Sequence, residues 1–135
     1  MARVEFHREE IMLKAKRATG RGVISIGEQI VSESKQIVHV QTGTLRRSLH
    51  VAAPDEMHFT DEDEARIRDL NEQVLEWHQI MSDDQLQAVI EAGSWLPYAC
   101  VEECGRQHHY VLPAYDMIYP TMSITMRAAF AAEGF

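Results

Sequence analysis

Four side chains late in the sequence could together hold a metal ion. Cys100 and Cys104 are four residues apart, so on a helix they would share one face, and His108 and His109 follow soon after. Two thiolates and two imidazoles are a common ligand set for tetrahedral Zn²⁺. Their spacing, however, matches none of the common zinc signatures, and small buried thiols are frequent in protein cores. The sequence therefore favours core cysteines, and a cytosolic Cys/His metal-binding or hydrolytic protein is the alternative.

No other cluster of residues in the sequence indicates catalysis. It contains no His-Glu-x-x-His pattern, no Gly-x-Ser-x-Gly elbow and no phosphate-binding glycine-rich loop. Thr19-Gly20-Arg21-Gly22 lacks the Lys-Ser/Thr pair that a P-loop needs. Carboxylate pairs that could act in acid–base catalysis occur in any acidic protein, and no pair here has neighbouring residues that indicate such a role. We therefore predict that the protein is not an enzyme and that it carries no cofactor.

The charge balance is acidic, with 21 Asp and Glu against 13 Lys and Arg and a formal net charge of −8. Affinity for nucleic acid comes mostly from basic side chains that neutralise phosphates, so tight DNA binding is disfavoured. The most acidic window includes four consecutive acids, Asp61, Glu62, Asp63 and Glu64. A solvated loop and helix start explain them most simply, because acids favour a helix N-terminus. The alternative is a surface facing a DNA channel, where like charge keeps the duplex from adhering.

Hydrophobic periodicity predicts the elements that must position these residues. One α+β domain over 1–135 is expected, with a small antiparallel sheet packed against a long N-terminal helix and a C-terminal helix. Gly20 and Gly22 weaken the long helix and predict a kink or break there. The helix is predicted over 4–37, with a buried stripe at Met12, Ala15, Thr19, Val23, Ile26, Ile30, Ser34 and Ile37.

The remaining elements follow the long helix in chain order. Strands are predicted over 48–52 and 85–92, separated by an acidic helical insertion over 55–84 that includes a helix over 65–80. Gly93 closes the second strand. A short helix over 97–105, an extended run over 108–112, helical structure from Pro113 and a last helix over 121–132 complete the chain, with a kink or break at Pro120.

The same sequence predicts the cellular environment of the protein. No run of about 18 apolar residues would cross a membrane. Arg3 and Glu5 are charged where a signal peptide needs an apolar stretch, so export is not expected. Two cysteines suit a reducing cytosol, where they stay thiols.

Three short segments, called the first, second and third motifs, carry a pattern of their own. The first motif is 39–49, with Thr42, Gly43, Leu45, Arg46 and Ser48. The second is 97–105, with Tyr98, Ala99, Glu103 and Gly105, and the third is 109–114, with Pro113 and Ala114. Physically, Thr42-Gly43 is expected to stop the long helix and turn the chain, and Leu45 to enter the core. Arg46 is expected to pair with Glu103 and clamp the first two motifs together.

In this order the motifs resemble the tail-component family of long-tailed bacteriophages, the neck and tail-completion proteins. The first is similar to Thr-Gly-x-Leu-Arg-x-Ser, the second to Tyr-Ala-x-x-Val-Glu-x-Gly and the third to Pro-Phe-Leu-x-Pro-Ala. Three residues depart from these patterns, since Glu102 replaces Val, His109 replaces Pro and Tyr110 replaces Phe. The insertion over 55–84 is also longer than a plain hairpin.

The resemblance implies a structural virion subunit that forms a homo-oligomeric ring, six-fold, at the head–tail junction. Its partners would be the connector or head-closure proteins and the tail terminator or tail tube, with DNA passing through and no membrane contact. It would reside in the virion neck or tail, and in the host cytoplasm during assembly. The expected contact elements are the N-terminal helix and the segment past Pro120, with Met122, Met126, Phe130 and Phe135. A small regulatory or interaction domain is the other alternative.

Overall fold

A computed structural model describes residues 7–38, 44–54, 67–68, 74–94 and 110–135. Over these residues the predicted α+β class is confirmed, with a long N-terminal helix, a two-stranded antiparallel sheet and a C-terminal helix. The elements in chain order are α1 (Arg8–Ile37), α2 (Thr44–Ser48), β1 (His50–Ala52), α3 (Trp77–Ile80), β2 (Glu91–Gly93), α4 (Val111–Ile118), a 3₁₀ turn (Tyr119–Thr121) and α5 (Met122–Ala132).

A kink or break is predicted at Gly20 and Gly22, and the break is wrong, because helix α1 runs without interruption for 30 residues. Both glycines are buried where another element approaches closely. A Cβ at Gly20 would lie 2.8 Å from the Cβ of Trp77, and a Cβ at Gly22 would overlap the sulfur of Met126. Packing at these two contacts offsets the propensity cost of about 1 kcal/mol for each glycine.

Two opposite sides of α1 are covered, which the single predicted stripe does not describe. Strands β1 and β2 and helix α3 contact one side, where Gly27 lies against Ile90 and Val51. Helices α4 and α5 contact another side. The prediction is right for the buried Ala15, Ile30 and Ser34 and wrong for the exposed Met12 and Ile37. Thr19, Val23 and Ile26 are half-buried, whereas Ala18, Ile24 and Gly27 are buried outside the predicted stripe.

The sheet is short, and its register places His50 opposite Gly93 and Ala52 opposite Glu91. Of the predicted strand 85–92, only Glu91 and Ala92 belong to β2. The residues before them form a hairpin arm, in which the N–H of Ser82 donates to the carbonyl of Gln87 at 2.9 Å.

The predicted helix over 65–80 is wrong at 74–76, which are not helical. Glu76 is extended and caps α3, because its N–H donates to the side-chain oxygen of Gln79 at 2.8 Å and its carboxylate accepts from the Gln79 backbone. This reciprocal capping starts a new helix at Trp77. Within the insertion, 55–66 and 69–73 lie outside the described residues.

The C-terminal helices follow the sequence more closely. The extended run predicted over 108–112 is wrong for Val111 and Leu112, which open α4. Pro113 occupies the first turn of α4, where a helix needs no N–H from it. The interruption predicted at Pro120 is confirmed, since a 3₁₀ turn separates α4 from α5. The last helix begins at Met122, one residue later than predicted.

Two apolar clusters form the described core, and α1 borders both. Near the end of α1, Val38 packs with Leu45, Leu49 and Tyr110. In its middle, Ile24 packs with Ala53 and Ile80 and with half-buried residues that include Trp77 and Ile90. The long helix therefore holds the sheet and the C-terminal helices in fixed positions.

Candidate assembly surface

The first motif forms the corner between α1 and the sheet. Leu45 is only 4% exposed and enters the cluster with Val38 and Tyr110, as predicted. Helix α1 ends at Ile37, where Val38 turns to an extended conformation while its N–H still donates to the Ser34 carbonyl. The helix therefore ends before the predicted Thr42-Gly43 stop, because burial of Val38 fixes the turn. Thr42 and Gly43 themselves lie outside the described residues.

Ser48 of the first motif is fully buried and joins three segments. Its hydroxyl donates to the carbonyl of Leu45 at 2.7 Å, and it accepts from the hydroxyl of Ser94 at 2.6 Å. The Nδ1 of His50 donates to the Ser48 carbonyl at 2.7 Å. These bonds fasten α2 to the end of β2. The second motif starts three residues after Ser94 in the sequence.

Arg46 is exposed at the same corner, beside the end of α1. Within the described residues it forms no ion pair, and its predicted partner Glu103 lies outside them, so the clamp stays a prediction. Burial, and secondly the positive charge of Arg46, lower the pKa of Lys35 below its ordinary value of 10.5. The first motif therefore places a second cation next to a half-buried lysine.

Large apolar side chains are exposed along the C-terminal helices. Helix α5 has no buried residue, although eight of its eleven residues are apolar (MSITMRAAFAA). Ile124 is 63% exposed, and Phe135, expected at a contact, is 56% exposed, whereas Met122, Met126 and Phe130 are half-buried. Clusters of exposed apolar side chains mark interaction sites in soluble proteins. Other exposed members are Leu112, Tyr115, Met117 and Tyr119.

A double ion pair fixes the far end of this surface to α1. The Glu133 carboxylate, on a side chain only 10% exposed, accepts from the Nε of Arg17 at 3.1 Å and from the Nη1 of Arg21 at 2.8 Å. Farther along, the Gln29 amide donates to the Thr125 hydroxyl at 3.3 Å. These contacts show that α5 runs antiparallel to α1 and reaches it at Arg17.

The turns of α1 before Arg17 extend past the end of α5. They expose Ile11, Met12 and Leu13, three consecutive apolar residues. Lys16 donates to the Asp83 carbonyl at 3.4 Å, so the tip of the hairpin arm also contacts α1 close to Arg17. The first turns of α1 and the C-terminal helices therefore both expose large apolar side chains.

No family model, curated protein or solved structure matches this chain. What it does is therefore argued from its own residues. No group of His, Cys, Asp and Glu able to hold a metal occurs among the described residues, and no described helix is long and apolar enough to cross a membrane.

Several predicted site residues lie outside the described ranges: Tyr98, Ala99, Glu103 and Gly105 of the second motif, the acids Asp61, Glu62, Asp63 and Glu64, and Cys100, Cys104, His108 and His109. Of the third motif, Pro113 is half-buried and Ala114 is fully buried in α4. The third motif therefore contributes buried residues that pack α4 against the rest of the fold.

Sequence reasoning missed Ser94 and Glu133. Ser94 directly follows Gly93, and a short polar residue at a strand end is too common to signal a buried partner. Arg17 and Arg21 are four apart on one helix face, which indicates that they act together. Nothing local points to Glu133, which is 112 residues away from Arg21.

Proposed function

We propose that this protein is a non-enzymatic structural subunit of the neck or tail of a long-tailed phage. Copies of it form a ring at the head–tail junction that joins or completes the tail and lets DNA pass. The observation that carries the proposal is the exposed apolar surface of the two chain-terminal regions, with Ile11, Tyr119 and Ile124 among its members. A subunit whose function is assembly needs such surfaces, and closed rings are built from them.

The phage assignment rests on the motifs. Leu45 and Ser48, two residues of the first motif, are buried at the corner that fixes α2 to the sheet. Ala114 of the third motif is likewise buried. A structural signature is expected to hold the fold in this way, whereas a catalytic signature would line an accessible cleft. The ring is expected to be six-fold, with connector and tail proteins as neighbours.

The assembly is tested by native mass spectrometry and negative-stain imaging of the purified protein. The expected result is a ring with a central hole, of one defined copy number. Mass spectrometry of virions purified from a host that carries the gene tests the location, and the protein is expected in the neck or tail at that copy number. A monomer at all concentrations, or absence from the virion, would contradict the proposal.

The passage of DNA is tested through the four consecutive acids. Reversing Asp61, Glu62, Asp63 and Glu64 to lysine is expected to leave particle assembly intact and to slow DNA ejection, because the channel wall would then attract phosphates. Neutral replacement by Asn and Gln is the matched control. Equal ejection rates for wild type and the lysine variant would argue that these acids lie away from the channel.

A further inference from the structure

Helices α4 and α5 are attached to the rest of the subunit in different ways. Helix α4 follows the buried Tyr110 of the apolar cluster at the end of α1, and it contains the fully buried Ala114. Helix α5 contains no buried residue, and its half-buried Met126 and Ala129 lie against Gly22 of α1. The core therefore anchors α4, whereas a shallow contact holds α5 on α1.

This shallow contact is nevertheless specific in shape. A Cβ on Gly22 would overlap the sulfur of Met126 and lie 3.3 Å from the Cβ of Ala129. The missing side chain at Gly22 thus forms a groove that receives α5, which we call the Gly22 groove. Every copy of the chain has the same groove and the same helix, so α5 of one copy fits the groove of another copy as well as it fits its own.

The joint between the two helices is exposed. Tyr119, Pro120 and Thr121 form the 3₁₀ turn, and all three are exposed, so no core packing fixes the angle of the turn. Pro120 has no N–H, and the ladder of helix hydrogen bonds is weakened at this position. The Thr121 hydroxyl donates to the Ile118 carbonyl at 2.9 Å, an exposed bond that water can replace. A change of angle here redirects α5 and leaves the buried residues of α4 in place.

We propose that α5 of one copy leaves its own α1 and occupies the Gly22 groove of the next copy. The exchanged form repeats the contacts of the closed subunit, so the conformation of the turn and the protein concentration decide between the two forms. Exchange of an identical element is a low-cost way to join copies, and it builds a ring when each copy passes α5 on in one direction. This inference rests on the proposed function for the statement that copies assemble, and it names the segment that joins them.

Two single-cysteine variants test the exchange in the full-length protein, with Cys100 and Cys104 replaced by serine throughout. Gly22→Cys places a thiol in the groove, and Ala129→Cys places one on α5. The two Cβ positions are 3.3 Å apart, close to the roughly 3.5–4.5 Å of a disulfide. The variants are mixed under reducing conditions, oxidised and separated on a non-reducing gel. The expected result is a covalent heterodimer from the mixture and none from either variant alone, with circular dichroism checking that both are folded.

The double variant Gly22→Cys/Ala129→Cys shows which chains each disulfide joins. Exchange is expected to give a ladder of linked chains. Disulfides confined to single chains, with no heterodimer from the mixture, overturn the inference and leave the proposed ring standing if wild type still forms rings in negative stain. Linked chains without a ring support the exchange and contradict the ring. If the double variant forms no disulfide at all, α5 does not lie on the Gly22 groove, and the inference is overturned with that contact.

The rate of heterodimer formation provides an independent test. Helix α5 leaves its own α1 only after Glu133 releases Arg17 and Arg21. Adding Glu133→Gln to the two single-cysteine variants is therefore expected to speed heterodimer formation roughly tenfold, because two charge-assisted bonds are weakened. Glu10→Gln, at the exposed ion pair with Lys14, is the matched control and is expected to leave the rate unchanged. Equal rates with Glu133→Gln and Glu10→Gln would show that α5 does not detach, and would overturn the inference.

Discussion

Gly20 and Gly22 lie two residues apart in α1 and face different neighbours, so alanine at each position separates helix propensity from packing. At Gly20 the new Cβ would lie 3.0 Å from the carbonyl oxygen and 3.2 Å from the Cα of Trp77. Backbone atoms cannot rotate away, so α3 as a whole would have to shift. At Gly22 the closest atoms are the sulfur and methyl group of Met126, the far end of a flexible side chain.

The magnitudes follow from two opposing effects. Alanine gains about 1 kcal/mol of helix propensity at either position. Overpacking against backbone costs about 1–3 kcal/mol, so Gly20→Ala is expected to change the free energy of unfolding by about 0 to −2 kcal/mol. Gly22→Ala avoids most of this cost when Met126 rotates, and is expected to be neutral or to stabilise by up to about 1 kcal/mol. The free energy of unfolding of Gly22→Ala should therefore exceed that of Gly20→Ala by up to about 3 kcal/mol, and by about 1.5 kcal/mol at the middle of the two ranges.

Urea and thermal unfolding, followed by circular dichroism, measure the difference. For a chain of this length 1 kcal/mol corresponds to roughly 4 °C in Tm. All variants should be compared at one low protein concentration, because any assembly would itself raise Tm. If Gly20→Ala proves as stable as Gly22→Ala, the close approach of the Trp77 backbone does not limit this site and the packing argument fails.

Three further predictions concern polar contacts. Glu133→Gln is expected to lower the free energy of unfolding by about 1–2 kcal/mol by weakening two charge-assisted bonds, whereas Glu10→Gln, at the exposed pair with Lys14, changes it by less than about 0.5 kcal/mol. Ser48→Ala is expected to lower the free energy of unfolding, measured in urea, by about 1–3 kcal/mol. The double variant with Ser94→Ala is expected to lose less than the sum of the two single losses, because the two hydroxyls bond each other. Arg46→Gln raises the pKa of Lys35 toward 10.5, measured by NMR titration. The pKa of Lys35 is lower in the folded than in the unfolded protein, so between these two pKa values the unfolded chain binds more protons. In that pH range Lys35 therefore makes the free energy of unfolding rise with pH, and Lys35→Met is expected to remove that rise.

The parts of the fold that depend on neighbouring residues could be predicted from the sequence. Pro120 interrupts the last helices because its ring and missing N–H act on the adjacent turn. Leu45 is buried as its place in the first motif indicates. Helix α1 ends at Ile37, in agreement with the end at about residue 37 that the apolar periodicity predicts, although not at the stop expected from Thr42-Gly43.

Features set by distant contacts could not be predicted in this way. A prediction from periodicity assumes one buried helix face, whereas α1 has two. Helix propensity counts glycine as unfavourable even where Trp77 or Ile90 packs too closely for a larger side chain. The capping of α3 by Glu76 splits a segment whose apolar spacing is continuous. At the candidate surface, exposure of Ile124 depends on how α5 lies on α1, which no local pattern contains.

The burial of glycines inside α1 has a consequence for how the protein opens. A segment with Gly20, Gly22 and Gly27 gains little from helix formation alone, so its amide protons are protected only while both flanking layers are in place. Hydrogen exchange in the middle of α1 should therefore require loss of one of these layers. Residues 8–14 of α1 lack those layers and should exchange through local fraying, at rates that would slow if copies assemble as proposed. A single helix would thus report both folding and assembly, each at its own end.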